Sequence, residues 1–333
     1  MLKVGVVGLG KMGLLHAGTV NMLQGCSVVA FCEKEALLTS LSRKVLLRIS
    51  FHNRVQNMMR QEQLDAVYVT TPTPTHLTIL NEIVDNSRDV AVFVEKPLAG
   101  TYSESLEILE KTNNRINMIG FQKRFSPPFM QAKQLLEKQA LGELASFRAY
   151  SFLSSVFSEG RGWRFGSGQG GALLDLGSHL VDLVLWYFGE PTTIRATKRT
   201  IYSKAVEDYV NAELGFESGV TGQCEVSWSV PGYRLLETRI DIVGNNGTLV
   251  VSDDYLRMEI IEDIPSIIKS GRHYLRKPEL YPGVDFLIGE PEYCLEDKYF
   301  LDCVKSHTQP RLGLDTGVKV SRVIQTIYES ANG

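Results

Sequence analysis

The chain is poor in the residues that build metal centres and disulfide frameworks. Its five cysteines (Cys26, Cys32, Cys224, Cys294 and Cys303) are odd in number and scattered, with no Cys-x-x-Cys pair. That pattern argues against a disulfide scaffold or a structural zinc site, and for a reduced, cytoplasmic setting. The six histidines never fall in His-x-His or His-Glu-x-x-His spacing, so no metal is expected. No apolar run approaches the ~18 residues of a membrane span. A strand pattern starts directly after Met1-Leu2-Lys3, so no signal peptide is expected either. The net charge of −3 lacks the basic field that nucleic acid requires. Neither nucleic acid nor membrane is therefore an expected partner.

What is present is the balance of an ordinary globular protein: 333 residues, 44% hydrophobic and 22% charged, enough for two domains. Up to about residue 121, β-rich runs (Val4–Val7, Val28–Cys32, Ala66–Thr70, Val90–Val94, Asn117–Gly120) alternate with helical stretches (Lys11–Met22, Glu35–Val45, Pro74–Asn86, Tyr102–Asn113). The last helix opens with a capping-box pattern, Thr101-x-x-Glu104. Alternation of this kind predicts an α/β Rossmann domain, a doubly wound parallel sheet, over residues 1–121. From 122 to 333 the texture changes. A helix at Pro127–Lys138 precedes strands at Leu144–Phe152, Thr192–Tyr202, Tyr209–Phe216, Val220–Val230, Arg234–Val243 and Thr248–Ser252. These predict an α+β domain with a large, mainly antiparallel open sheet, serving substrate binding and oligomerisation. Residues 263–291 read as an irregular loop carrying Lys269, Arg272, Arg276 and Lys277. That loop is expected to be solvated, to make an oligomer contact, or to clamp an anionic substrate. Helices at Tyr293–Ser306 and Thr316–Ser330 close the chain.

Gly8-Leu9-Gly10-Lys11-Met12-Gly13 is Gly-x-Gly-x-x-Gly placed between the first strand and the first helix. In that setting the first glycine makes the tight turn, the second admits a pyrophosphate, and the third lets helix and strand pack closely. The helix N-terminus supplies partial positive charge to the phosphates. Glu33 ends the second strand, where a carboxylate accepts from ribose hydroxyls and repels an extra phosphate. NAD is therefore the expected cofactor, with NADP kept open by the neighbouring Lys34. Thr71-Pro72-Thr73 and His76 follow the next core strand, at an end where ligands bind in such sheets. They join the candidate cofactor set, with His76 read as a cap or cofactor neighbour rather than a catalyst.

Two further features carry chemistry. Glu95-Lys96-Pro97 ends a buried strand and brings a charged pair to the same edge, at the nicotinamide end of a bound dinucleotide. Gly170 to Gly189 reads as a buried helix, hydrophobic almost all round, yet Asp175, His179 and Asp182 recur at i, i+4 and i+7 on one face. Buried polar stripes line a cavity or form a satisfied network, because an unpaired charge in an apolar interior is costly.

Together these segments resemble the glucose-fructose oxidoreductase / inositol 2-dehydrogenase / rhizopine-catabolism family over nearly the whole chain. The resemblance implies a catalytic set of Lys96, Asp175 and His179, with Glu95 and Lys96 beside the cofactor. It also implies substrate contacts from Trp163 and Arg164, before the glycine-rich Gly166–Gly171, and from Arg124 in Gly120-Phe-Gln-Lys-Arg-Phe125. One departure is Ser87-Arg88-Asp89, where the family usually has Gly-Lys-His; it lies away from the chemistry.

The implied reaction is reversible oxidation of a secondary hydroxyl on a sugar, polyol or sugar derivative. His179 would act as base, Lys96 would bond the reacting oxygen, and Asp175 would orient His179 or bond a neighbouring hydroxyl. A homodimer or homotetramer is implied as well. No tyrosine is followed four residues on by lysine, which disfavours the short-chain dehydrogenase alternative. Two readings stay open on the same scaffold: a family hydrolase using NAD transiently, and a non-enzymatic NAD-binding sensor.

Overall fold

The computed structural model describes residues 1–35, 49–160, 163–166, 170–281, 283 and 290–332. The helix predicted over Glu35–Val45 lies almost wholly outside them. Two compact units form, one of residues 1–122 with 284–321 and one of residues 123–283 with 322–333.

In the first unit, six strands run parallel: β1 (Leu2–Val7), β2 (Cys26–Cys32), β3 (Ser50–His52), β4 (Ala66–Val69), β5 (Ala91–Glu95) and β6 (Asn117–Gly120). Their order is β3-β2-β1-β4-β5-β6. β4 and β5 are buried along their whole length, as central strands of a sheet covered on both faces must be. Strand order reverses between β1 and β4, which opens a crevice at their carboxyl ends. Helices α1 (Lys11–Met22), α2 (Val55–Gln61), α3 (His76–Asn86) and α4 (Tyr102–Thr112) complete the crossovers. The capping box at the start of α4 forms as its sequence predicts: Thr101 Oγ1 accepts from the Glu104 N–H, and Glu104 returns the bond. β3 and α2 escaped prediction, because three half-polar residues and one short helix carry too little periodicity. The sequence places the second domain at residues 122–333, which would include 284–321. They return to the first unit because α7 (Pro291–Ser306) buries Phe300, Leu301 and Asp297 there.

The second unit is built on eight strands: β7 (Leu144–Phe152), β8 (Pro191–Arg199), β9 (Tyr209–Phe216), β10 (Thr221–Ser227), β11 (Glu237–Gly244), β12 (Gly247–Ser252), β13 (Tyr255–Ile260) and β14 (Gly271–Arg276). The order is β14-β13-β12-β11-β7-β10-β9-β8. Only β7 and β10 pair in parallel; every other neighbouring pair is antiparallel. One face buries alternate residues such as Phe147, Ala149, Ile240 and Ile242 beneath α5 (Pro127–Glu137) and α6 (Ser178–Phe188). Phe147 stacks on Phe188 of α6 with ring centroids 4.2 Å apart. The other face carries polar pairs, among them Arg148 with Glu225 and Tyr150 with Glu237. β13 was not expected, and β14 corrects the expectation of an irregular loop over residues 263–291. Gly271-Arg-His-Tyr-Leu-Arg276 is an exposed edge strand whose polar sequence hides its period. Arg272 and Arg276 pair there with Glu259 and Glu279.

Asp208, fully buried just before β9, ties this unit's loops together. Its carboxylate accepts the N–H groups of Ile201, Tyr202 and Ser203, the Ser203 hydroxyl and the Trp228 indole N–H. Burial pushes its acidity the wrong way, but these donors outweigh burial and hold the carboxyl below its ordinary value. A depressed carboxyl stabilises the fold above its unfolded pKa, about 3.9, and loses that contribution as pH falls through the lower folded value. Asp208→Ala strands several buried donors and should cost about 3 kcal/mol in urea unfolding at neutral pH. The gap to wild type should narrow below about pH 4.

Candidate active site

The cofactor-side residues sit at the carboxyl ends of β1, β2, β4 and β5. Gly8 adopts φ +101°, a backbone only glycine holds without strain, and donates its N–H to the Cys32 carbonyl at 2.9 Å. A Cβ on Gly13 would lie 1.9 Å from the Gly8 carbonyl oxygen, whereas one on Gly10 would meet nothing within 4 Å. The turn is therefore packed tightly on its inner side and open at Gly10. α1 starts there with no side-chain cap, so the N–H groups of its first turn, from Lys11, Met12 and Gly13, face the opening. Glu33 accepts the Leu9 N–H at 2.8 Å and the Glu35 N–H at 2.9 Å, which fixes its carboxylate beside the glycine turn. A cleft of about 680 Å³ is lined by Gly8, Gly10, Glu33, Thr71, Pro72 and Arg54 among others. Arg54 went unforeseen because it lies between the short β3 and α2.

Thr73 and His76 are buried instead. His76 Nδ1 lies 3.1 Å from the Leu98 carbonyl and Nε2 lies 2.9 Å from the Thr71 carbonyl. Burial lowers its pKa, with those carbonyls opposing. Its role in the fold is to clamp the Thr71-Pro72 turn to the segment after Glu95-Lys96-Pro97. Glu95 is buried as well, one oxygen 2.9 Å from His16 Nε2 and the other accepting the Lys96 N–H at 3.1 Å. Lys96 is half-buried, and its peptide bond to Pro97 is cis.

In the second unit, the polar stripe begins in a π-helical turn, Leu173–Gly177, that runs into α6. Such turns re-aim side chains and recur at functional sites. Asp175 and His179 are 6% and 4% exposed and Asp182 is fully buried. Glu207 fixes the start of the element. Its carboxylate accepts the Leu173 N–H at 3.0 Å and the Tyr328 hydroxyl at 2.9 Å, supplying negative charge at a helix N-terminus. Gly171, at φ +116°, leaves room for that carboxylate, which a Cβ would meet at 2.3 Å. Arg164 Nε lies 3.5 Å from Asp175 Oδ2. Arg124 grips Asp182 with two bonds of 2.9 and 2.7 Å and stacks 5.4 Å from the Trp186 ring centroid. Burial pushes the Asp182 carboxyl above its ordinary value and the guanidinium opposes it. The side chain of Trp163 lies outside the described residues.

Family models match much of both units. Residues 2–122 match a family model described as oxidoreductase family, NAD-binding Rossmann fold. Residues 129–250 match the GFO/IDH/MocA C-terminal domain. The chain belongs to the GFO/IDH/MocA oxidoreductase family. Among curated relatives, a scyllo-inositol 2-dehydrogenase (NAD(+)) of Bacillus subtilis is 24% identical over 322 residues, covering 93% of this chain and 88% of the relative. An inositol 2-dehydrogenase of Rhizobium meliloti is 24% identical over 289 residues, covering 83% and 81%. A solved levoglucosan dehydrogenase in complex with NADH superposes with a TM-score of 0.87 at 22% identity, covering 99% of this chain and 97% of that one.

The first unit is an NAD-binding Rossmann domain, and the residues present fit NAD. Open space over Gly10, uncapped N–H groups and a cleft within the ~300–1,000 Å³ of ligand pockets are what a pyrophosphate and adenosine need. Glu33 stands where ribose hydroxyls would meet an acceptor. Among the described residues, no group of three or more His, Cys, Asp or Glu side chains could hold a metal ion. None of their helices is long and apolar enough to cross a membrane. The stripe divides in two: Asp182 is consumed by Arg124, so that pair is a support for α6.

Two outcomes follow from this geometry. The Cβ of Gly10→Val meets no neighbour within 4 Å, so the variant should unfold like wild type while weakening NADH binding about 100-fold by fluorescence titration, since its side chain takes the space for phosphate. Arg124→Ala leaves Asp182 buried and unpaired and should destabilise the second unit by about 3–5 kcal/mol. Arg124→Met combined with Asp182→Leu should recover most of that loss in urea unfolding.

Proposed function

We propose that this protein oxidises a secondary hydroxyl of a sugar or polyol with NAD, reversibly, through Lys96, Asp175 and His179. The carrying observation is the stripe itself. An acid and an imidazole one turn apart are buried on an apolar helix that opens with a π turn, in a chain whose other unit is an NAD-binding fold. In this reading His179 takes the hydroxyl proton, since imidazole exchanges protons near neutral pH. Lys96 donates a hydrogen bond to the reacting oxygen and stabilises the carbonyl that forms. Asp175 orients the imidazole or binds a neighbouring hydroxyl, and Arg164 and Trp163 contact substrate. NAD supplies the hydride acceptor when bound. The names of the relatives, inositol, apiose and levoglucosan dehydrogenases, support the substrate class.

A homodimer or homotetramer belongs to this reading, supported by the polar pairs on one face of the eight-stranded sheet. So does a cytoplasmic location, supported by five free cysteines.

The test is NADH formation by absorbance over a panel of scyllo-inositol, myo-inositol, D-apiose and levoglucosan, with product identification. One product per NADH is expected. A cleaved glycoside with no net NADH would select the transient-NAD hydrolase instead, and NAD binding without turnover would select the sensor. Lys96→Ala and His179→Ala should each lower kcat by about 10²–10⁴-fold and leave NADH affinity nearly unchanged. A variant that keeps wild-type turnover removes its residue from the set.

A further inference from the structure

We propose that His16 is a positioning residue for Lys96, acting through the carboxylate of Glu95. The proposal rests on the preceding reading of Lys96 and adds a group that touches neither substrate nor cofactor.

His16 sits one turn beyond Gly13 on α1 and is fully buried. Its two ring nitrogens are both engaged by carboxylates, Nδ1 with Asp297 at 2.7 Å and Nε2 with Glu95 at 2.9 Å. With both carboxyls ionised, the two contacts are hydrogen bonds at once only when both ring nitrogens carry protons. Although burial works against it, the two acids raise the His16 pKa well above the ordinary imidazole value. Tyr68, Phe93 and Tyr293 surround the ring at centroid distances of 5.4, 5.0 and 6.2 Å, so it has one orientation. The adjoining Glu296 is fully buried with neither carboxyl oxygen hydrogen-bonded. Burial, then Glu95, pushes it well above the carboxylate range.

The link to Lys96 is the second Glu95 oxygen, which accepts the Lys96 N–H at 3.1 Å. Lys96 is the first residue past the β5 ladder, so this bond is a restraint that the sheet does not provide. Gly120, opposite Glu95 in register, lies beside the carboxylate and leaves room for the Phe93 ring under His16, which a Cβ there would meet at 3.0 Å. The path runs from α7 through Asp297, His16 and Glu95 to the Lys96 backbone. It gives the 284–321 return segment a part in setting the lysine.

The experiment measures kcat, KM and NADH affinity for His16→Gln, Asp297→Asn, Lys96→Ala and His16→Gln/Lys96→Ala, with the most active panel polyol and NAD. His16→Gln should lower kcat about 10- to 100-fold, the scale of an ångström-level misplacement. NADH affinity and KM should stay within about threefold. Asp297→Asn, remote from the Lys96 turn and close to isosteric, should show a smaller loss of the same kind, and it carries the test should His16→Gln not fold. Adding His16→Gln to Lys96→Ala should cost almost nothing more. Unchanged kcat in both single variants, equal losses in kcat and NADH affinity, or losses that multiply in the double variant would each overturn the proposal. Wild-type turnover in Lys96→Ala, or no turnover on the whole panel, would instead bring down the parent reading and this inference with it.

Discussion

An acid buried in an apolar interior must be answered by a proton, a cation or several donors, at a cost of several kcal/mol otherwise. Both units are organised by that constraint. In the first, His16 answers Asp297 and Glu95, joining the helix after the glycine turn to the end of β5 and to α7. In the second, Arg124 answers Asp182 in α6, backbone and indole N–H groups answer Asp208, and the start of the π turn answers Glu207. Each answer also fixes a segment that the candidate chemistry needs. The Lys96 turn is held by Glu95, and the Asp175 and His179 helix is held at its N-terminal end by Glu207 and along its length by Arg124.

This division separates support from chemistry among residues of the same type. Asp182 and Asp175 lie two turns apart on one stripe, yet the first meets a guanidinium at full bidentate contact and the second meets Arg164 at 3.5 Å. Arg164 is itself mostly solvent-exposed, so Asp175 is matched from outside the core. Likewise His16, His76 and His179 are all buried. His16 is locked between two acids and His76 between two carbonyls, as parts of the scaffold. Burial alone therefore does not mark a functional histidine.

The sequence made the strand–turn–helix around Gly8, Gly10 and Gly13 legible because glycine spacing reports backbone geometry directly. The polar stripe on Asp175, His179 and Asp182 was legible because it violates a strong apolar pattern. β3, β13 and β14 were not, since short or exposed edge strands carry little alternation. The pairings were hidden for another reason. His16 meets Asp297 across 281 residues of chain and Arg124 meets Asp182 across 58, and nothing local encodes such partners. A faint signal did exist in α7, where Glu296 and Asp297 precede Phe300 and Leu301 by one turn on a face that proves to be buried. The same blindness hid the Arg124–Asp182 pair, whereas His76, held by two carbonyls, has the clamping place that a cap after the strand end would take.

The account stands on Lys96 and His179 serving a single transition state. A double-mutant cycle on kcat/KM, with Lys96→Ala, His179→Ala and both together, tests this most directly. Residues that act as a unit should give a double variant scarcely slower than the worse single one. Two losses that multiply in full would show that the ammonium and the imidazole work apart, and would contradict the account.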